Sequence, residues 1–178
     1  IGYQAMVTNT TGAQNIAVGS YALDANTTTN YNTAVGYVAL SANTASSNTA
    51  VGYYALALNT TGTANVAVGH TVLAANTTAS HNTSMGYQAL TANTTGHSNV
   101  GISSQALLSN TTGDGNVAIG YGSLDANTTA DNNTAVGRES LGANTTGTEN
   151  VAIGAYALDA NTTSSYNTAL GSGALGAN

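Results

Sequence analysis

The chain has 178 residues, one Arg, seven acidic residues and a formal charge of −6. Charged residues make up 4% of it, against roughly 25% in ordinary soluble domains, and a single Arg cannot neutralise a phosphate backbone, which excludes nucleic-acid binding. Without Cys there is no disulfide framework, and no apolar run is long enough for a membrane-spanning helix or a signal peptide, so no membrane insertion is expected.

Self-similarity at a fixed period governs the chain. A partial copy spans 1–14, and further copies open at Asn15, Asn32, Asn48, Asn65, Asn82, Asn99, Asn116, Asn133, Asn150 and Asn167. The spacing is 17 residues, except for 16 between Asn32 and Asn48. The consensus N-[TV]-A-[VI]-G-Y-x-A-L-x-A-N-T-T-G-x-x runs without a linker, so 1–178 reads as a single repeat domain. The chain opens at Ile1 and stops at Asn178, positions 4 and 12 of a copy, so it reads as a fragment of a longer fibre whose ends need flanking sequence or end-to-end self-association.

Within each copy the N-[TV]-A-[VI]-G stretch comes first, is β-prone and alternates, which predicts a strand. Position 4 is always aliphatic, from Val18 to Leu170, and is expected to face the core. Position 5 is Gly except at Ser103, marking a bend or a close backbone approach. The Y-x-A-L-x-A stretch follows. Its position 7 holds Tyr21, Gln88, Glu139 and Gly173, so a turn or single helical turn fits better than a strand. Leu at position 9 (Leu23, Leu40, Leu56, Leu73 and onward) is expected to be buried in every copy. Position 12 is Asn throughout, Asn26 to Asn178, and opens an Asn-Thr-Thr corner expected to be exposed. Gly12, Gly62, Gly96, Gly113 and Gly147 precede copies with Ile or Val at position 2, whereas Tyr31, His81 and Tyr166 precede copies with Thr, which implies two corner geometries.

One such unit cannot bury its apolar side chains alone, but stacked units can. The fold expected is therefore all-β, a repetitive β-solenoid or β-roll of about 17-residue coils spaced about 4.8 Å apart. Identical residues then form ladders along the axis, with Asn15, Asn32, Asn48 and Asn65 passing amide hydrogen bonds between coils and Leu23, Leu40, Leu56 and Leu73 stacking. Like charges would repel in a ladder, and Asp24, Asp125 and Asp159 share position 10 without occupying consecutive copies. The core is thin, and small side chains at positions 3, 8 and 11 would let three chains approach, which favours a parallel homotrimer.

The strings NTAVGYYALALNTTGTANVAVG and NTSMGYQALTANTTGHSNVGIS resemble the NTAVGYQAL/NTTG repeats of phage tail-fibre and bacterial surface fibre proteins. More distantly, N-[TV]-A-[VI]-G is similar to the motif of YadA-type trimeric autotransporter adhesin heads. The resemblance implies a parallel homotrimer of left-handed β-rolls, extracellular on a virion tail or a bacterial cell surface, that meets a host receptor or glycan.

No catalytic, cofactor-binding or metal-binding residue is assigned, and no cofactor is expected. Asp24, Asp114, Asp125, Asp131, Glu139, Glu149 and Asp159 are scattered over corners and variable positions, and His70, His81 and His97 fall in separate copies. In a trimer a single His or Asp near the axis would become a ring of three. Asn-Thr-Thr also matches the N-glycosylation pattern at nine positions from Asn9 to Asn161, though it is also simply the repeated corner. Tyr37, Tyr53, His70 and Tyr87 share position 6 in consecutive copies and form a possible surface-contact ladder for sugar rings, or an aromatic cover over strand edges. The function expected is a structural fibre segment, shaft or head, that spaces or presents a receptor-binding region. A self-assembling extracellular filament subunit is the alternative. An ice-binding solenoid is the weaker third, because Thr at positions 13 and 14 are adjacent and cannot share one strand face.

Overall fold

The computed structural model describes residues 1–176 and is all-β, with no helix among them. Ten strands of three residues each, β1 (Ile16–Val18), β2 (Thr33–Val35), β3 (Thr49–Val51), β4 (Val66–Val68), β5 (Thr83–Met85), β6 (Val100–Ile102), β7 (Val117–Ile119), β8 (Thr134–Val136), β9 (Val151–Ile153) and β10 (Thr168–Leu170), form one parallel sheet in sequence order. Each coil thus returns beside the last, and every pair keeps like position opposite like, as in Ala50 beside Ala67 and Val51 beside Val68. The 16-residue coil does not shift the register, since Ala34 still faces Ala50. That coil has lost position 14: Ala45 takes the place of position 15, its carbonyl accepting from the amides of both Asn32 and Asn43.

The strand side expected to be inward is outward. Position 3 is buried in every strand, while positions 2 and 4 are half-buried or exposed, with Val18, Met85, Ile119 and Ile153 each near 40%. Space explains the difference. Leu at position 9 reaches across the coil to the strand, and a Cβ placed on Gly101 would already lie 3.2 Å from Leu90 Cδ1. Ala fits there and Val does not. The small residues at positions 3 and 8 therefore fill the inside of each coil and do not form an outer surface, contrary to the expectation that they would let chains approach.

Leu23, Leu40, Leu56, Leu73, Leu90, Leu107, Leu124 and Leu141 are fully buried. The Y-x-A-L stretch around them is a turn, with positions 7 and 9 in the left-handed region, as at Tyr54 (φ 55°) and Leu56 (φ 53°). Two left-handed residues bracketing one of ordinary conformation point successive N–H groups in opposite directions along the rod. Tyr54 N–H donates back to Tyr37 O at 3.0 Å, and Leu56 N–H donates forward to Val72 O at 2.9 Å. The turn thus continues the axial hydrogen bonding of the sheet on the opposite wall, which offsets the cost of left-handed backbone at non-Gly residues.

Position 5 takes φ near +130°, a region open essentially to Gly, and Ser103 occupies it at φ 105°. Ser103→Gly is expected to stabilise the chain by about 1 kcal/mol, raising the thermal midpoint by about 2–4 °C in a circular dichroism melt. An unchanged or lower midpoint would mean that the Ser side chain compensates for its backbone.

The two corner types differ in hydrogen bonding. With Gly at position 15, both Thr60 and Thr61 N–H donate to Thr77 O, whereas with Ala79 there only Thr77 N–H reaches Thr94 O. A Cβ on Gly62 would sit 2.5 Å from Asn59 Oδ1, so the Gly corners close more tightly.

Candidate functional site

The interior of the rod is a pair of amide columns beside a Leu column. Asn at position 12, expected on an exposed corner, is buried, while the two Thr residues after it lie at or near the surface. Asn59 shows why. Its Nδ2 donates to Asn43 Oδ1 at 2.7 Å and to its own corner carbonyl, Gly62 O, at 2.9 Å. Asn48, at position 1, donates to that same carbonyl at 2.8 Å. A corner carbonyl that points inward must find donors there, and two Asn amides per coil supply them.

The position-1 column is continuous. Asn32 N–H donates to Asn15 Oδ1 at 2.9 Å, Asn48 N–H to Asn32 Oδ1 at 3.0 Å, and Asn65 N–H to Asn48 Oδ1 at 3.0 Å. The pattern repeats to Asn167. The position-12 column runs from Asn9 to Asn161 and lacks the rung between Asn26 and Asn43, at the short coil, where Asn43 Oδ1 accepts from both Asn48 and Asn59. Asn178 lies outside the described residues. From Asn26 to Asn161 these Asn side chains are buried inside the rod, which closes those Asn-Thr-Thr sites to glycosylation in the folded chain, while Asn9 in the first coil is half-buried.

A third column was not legible in the sequence. Position 16 supplies a side-chain acceptor to the backbone N–H of position 16 in the coil before it: Thr63 N–H to Ser80 Oγ, Ser80 N–H to His97 Nδ1, His97 N–H to Asp114 Oδ1, and Asp114 N–H to Asp131 Oδ1, at 2.6–3.0 Å. The signal was the run Ser80, His97, Asp114, Asp131, acceptors all. It also corrects the expectation that ladders avoid neighbouring like charges: Asp114 and Asp131 are consecutive rungs, and Asp131 accepts a charge-assisted bond from the backbone of its neighbour.

Tyr37, Tyr53, His70 and Tyr87 are brought together in one exposed stack. Centroids lie 5.6 Å apart between Tyr37 and Tyr53 (14° between planes), 4.9 Å between Tyr53 and His70 (18°), and 5.5 Å between His70 and Tyr87 (29°). The ring faces are turned on one another, so edges and hydroxyls point to solvent. Sugar stacking uses an open ring face, and between successive rungs of this column the faces are turned on one another. Further along, Arg138 lies over both Tyr121 and Tyr156, 5.7 and 5.6 Å from their centroids, which spends the one guanidinium on an internal cation–π contact.

Two carboxylates are held above their ordinary range. Burial does this at Asp24, whose Oδ1 is buried without a partner, and burial with the nearby Glu139 charge does it at Asp125. A raised folded-state pKa disfavours the ionised form in the fold, so Asp125 costs stability at neutral pH, and stability returns as pH falls through the folded value toward 3.8. Asp125→Asn is therefore expected to raise the midpoint at pH 7, with the two chains converging near about pH 4. A variant that melts below the parent at pH 7 would show that the carboxylate is favourably placed.

No cluster of three or more His, Asp or Glu residues suited to a metal ion occurs among the described residues, and no helix long and apolar enough to cross a membrane occurs among them. Set against known proteins, the chain matches no family model, no curated protein and no solved structure.

Proposed function

We propose that this chain is a non-catalytic structural segment, shaft or head, of an extracellular trimeric fibre on a phage tail or a bacterial surface, where it spaces or presents a receptor-binding region. The observation that carries this reading is the set of columns running the length of the rod: Asn at positions 1 and 12, Leu at position 9 and the ten-stranded sheet all direct their bonding along one axis. Such a molecule transmits position and load from coil to coil. Its titratable groups serve the same architecture, with His70 in the ring stack and His97, Asp114 and Asp131 as rungs.

Small-angle scattering and light scattering on the purified chain test the proposal together. A rigid rod with the mass of three chains is the expected result. A monomer mass at every concentration would remove the trimer, and a compact or flexible particle would remove the fibre.

A further inference from the structure

The outer face of the sheet is a surface that none of the columns described above uses. Positions 2 and 4 of β1–β10 place twenty side chains on it, two columns of Val, Ile, Thr, Met and Leu in unbroken register. None is charged. Every Asp, Glu, Arg and His of the chain sits instead at positions 6, 7, 10, 16 or 17. Aliphatic side chains here are half-buried by their own neighbours, yet Ile16 keeps 54% and Met85 43% of its surface in contact with solvent.

We infer that this face is where copies of the chain pack against one another, parallel and in register; the inference rests on the trimeric reading above and assigns its contact surface. Two observations select this occupant. Aliphatic and Thr side chains with no charge are depleted in the residues that interface cores exclude. The sequence of the face also prefers its own kind in one direction. In a parallel arrangement each coil meets its equal, so Thr33 lies beside Thr33 and Val151 beside Val151. Antiparallel packing would set Ile16 against Thr168, Thr33 against Val151 and Thr83 against Val100, three of the five position-2 pairs, leaving Thr hydroxyls against aliphatic surface, while Thr49 with Thr134 and Val66 with Val117 would still match.

The test introduces charge on the face and on a control column. Val68→Asp with Ile119→Asp is expected to reduce the particle mass about threefold, as the loss of a trimer requires, with the circular dichroism spectrum unchanged. Thr78→Asp with Thr129→Asp, on the exposed position-14 corner, is expected to leave the mass as it was. An oligomer that survives the face substitutions overturns the assigned surface while the trimeric reading stands. A parent chain that is monomeric overturns both, and thermal hysteresis from such a monomer would assign the same flat face to ice. Should the Asp variant not fold, single cysteines decide, since the chain has none of its own. Val68→Cys is expected to give covalent dimers on mild oxidation. If Val68→Cys links only to a chain carrying Ile119→Cys, the packing is antiparallel and the inference fails.

Discussion

Asn110→Asp is expected to cost on the order of 3–5 kcal/mol, although it changes neither the size nor the shape of the side chain. Asn110 is fully buried. Its Nδ2 donates to Asn93 Oδ1 at 2.9 Å and to Gly113 O at 3.0 Å, and its Oδ1 accepts from Asn127 Nδ2 at 2.8 Å. A carboxylate retains the acceptor and loses both donations. It also turns an oxygen toward Asn93 Oδ1 and puts a charge where there is no cation to meet it. The thermal midpoint at pH 7 is expected to fall by about 10 °C. A buried carboxyl without a partner charge has a raised pKa, so acid should return part of the loss by protonating it. Equal midpoints for Asp and Asn chains at neutral pH would mean that amide direction does not matter and that the columns are spectators of packing.

The same columns show why part of the fold was legible and part was not. Period, strand position and the inward Leu follow from spacing alone, because a residue that recurs every 17 positions must stack on itself. The side of the strand does not follow. Binary patterning equates apolar with buried, and here Val51 points out while Ala50 points in. The interior is occupied by Leu56 and by the amides of Asn48 and Asn59, leaving room across from Leu only for a methyl group. Short polar residues on a corner likewise read as exposed. That rule fails at position 12 because a two-corner coil of 17 residues turns carbonyls inward, and something must donate to them. The left-handed backbone at Leu56 was also hidden: Leu carries no marker for positive φ, and tertiary packing imposes it. For the ring stack, the sequence placed Tyr37, Tyr53, His70 and Tyr87 in one column but held no information on whether the rings would offer faces or edges.

Gly69→Ala is expected to cost on the order of 2–6 kcal/mol, from two independent sources. Gly69 has φ 138°, where an L side chain is strained by about 1–3 kcal/mol. The new Cβ would also lie 2.6 Å from Gly86 O, and that oxygen belongs to the backbone of the next coil, which cannot rotate away. Relief requires the two coils to separate, which stretches the adjoining bond from Gly69 N–H to Val51 O, now 2.8 Å. Gly122→Ala makes the contrast. Gly122 sits at position 7 with φ 61°, the conformation that Tyr54 and Gln88 already adopt in other coils, and its nearest neighbour would be the Glu139 carboxyl carbon at 3.5 Å. That change is expected to cost about 1 kcal/mol. Denaturant melts of the two variants measure the difference directly. Because each coil is held by its neighbours alone, the Gly69 variant should also lose amide protection first in the coils around it, while the segment beyond Gly120 stays protected. Equal costs for the two substitutions would show that coil separation is soft and that the position-5 glycines serve only the turn.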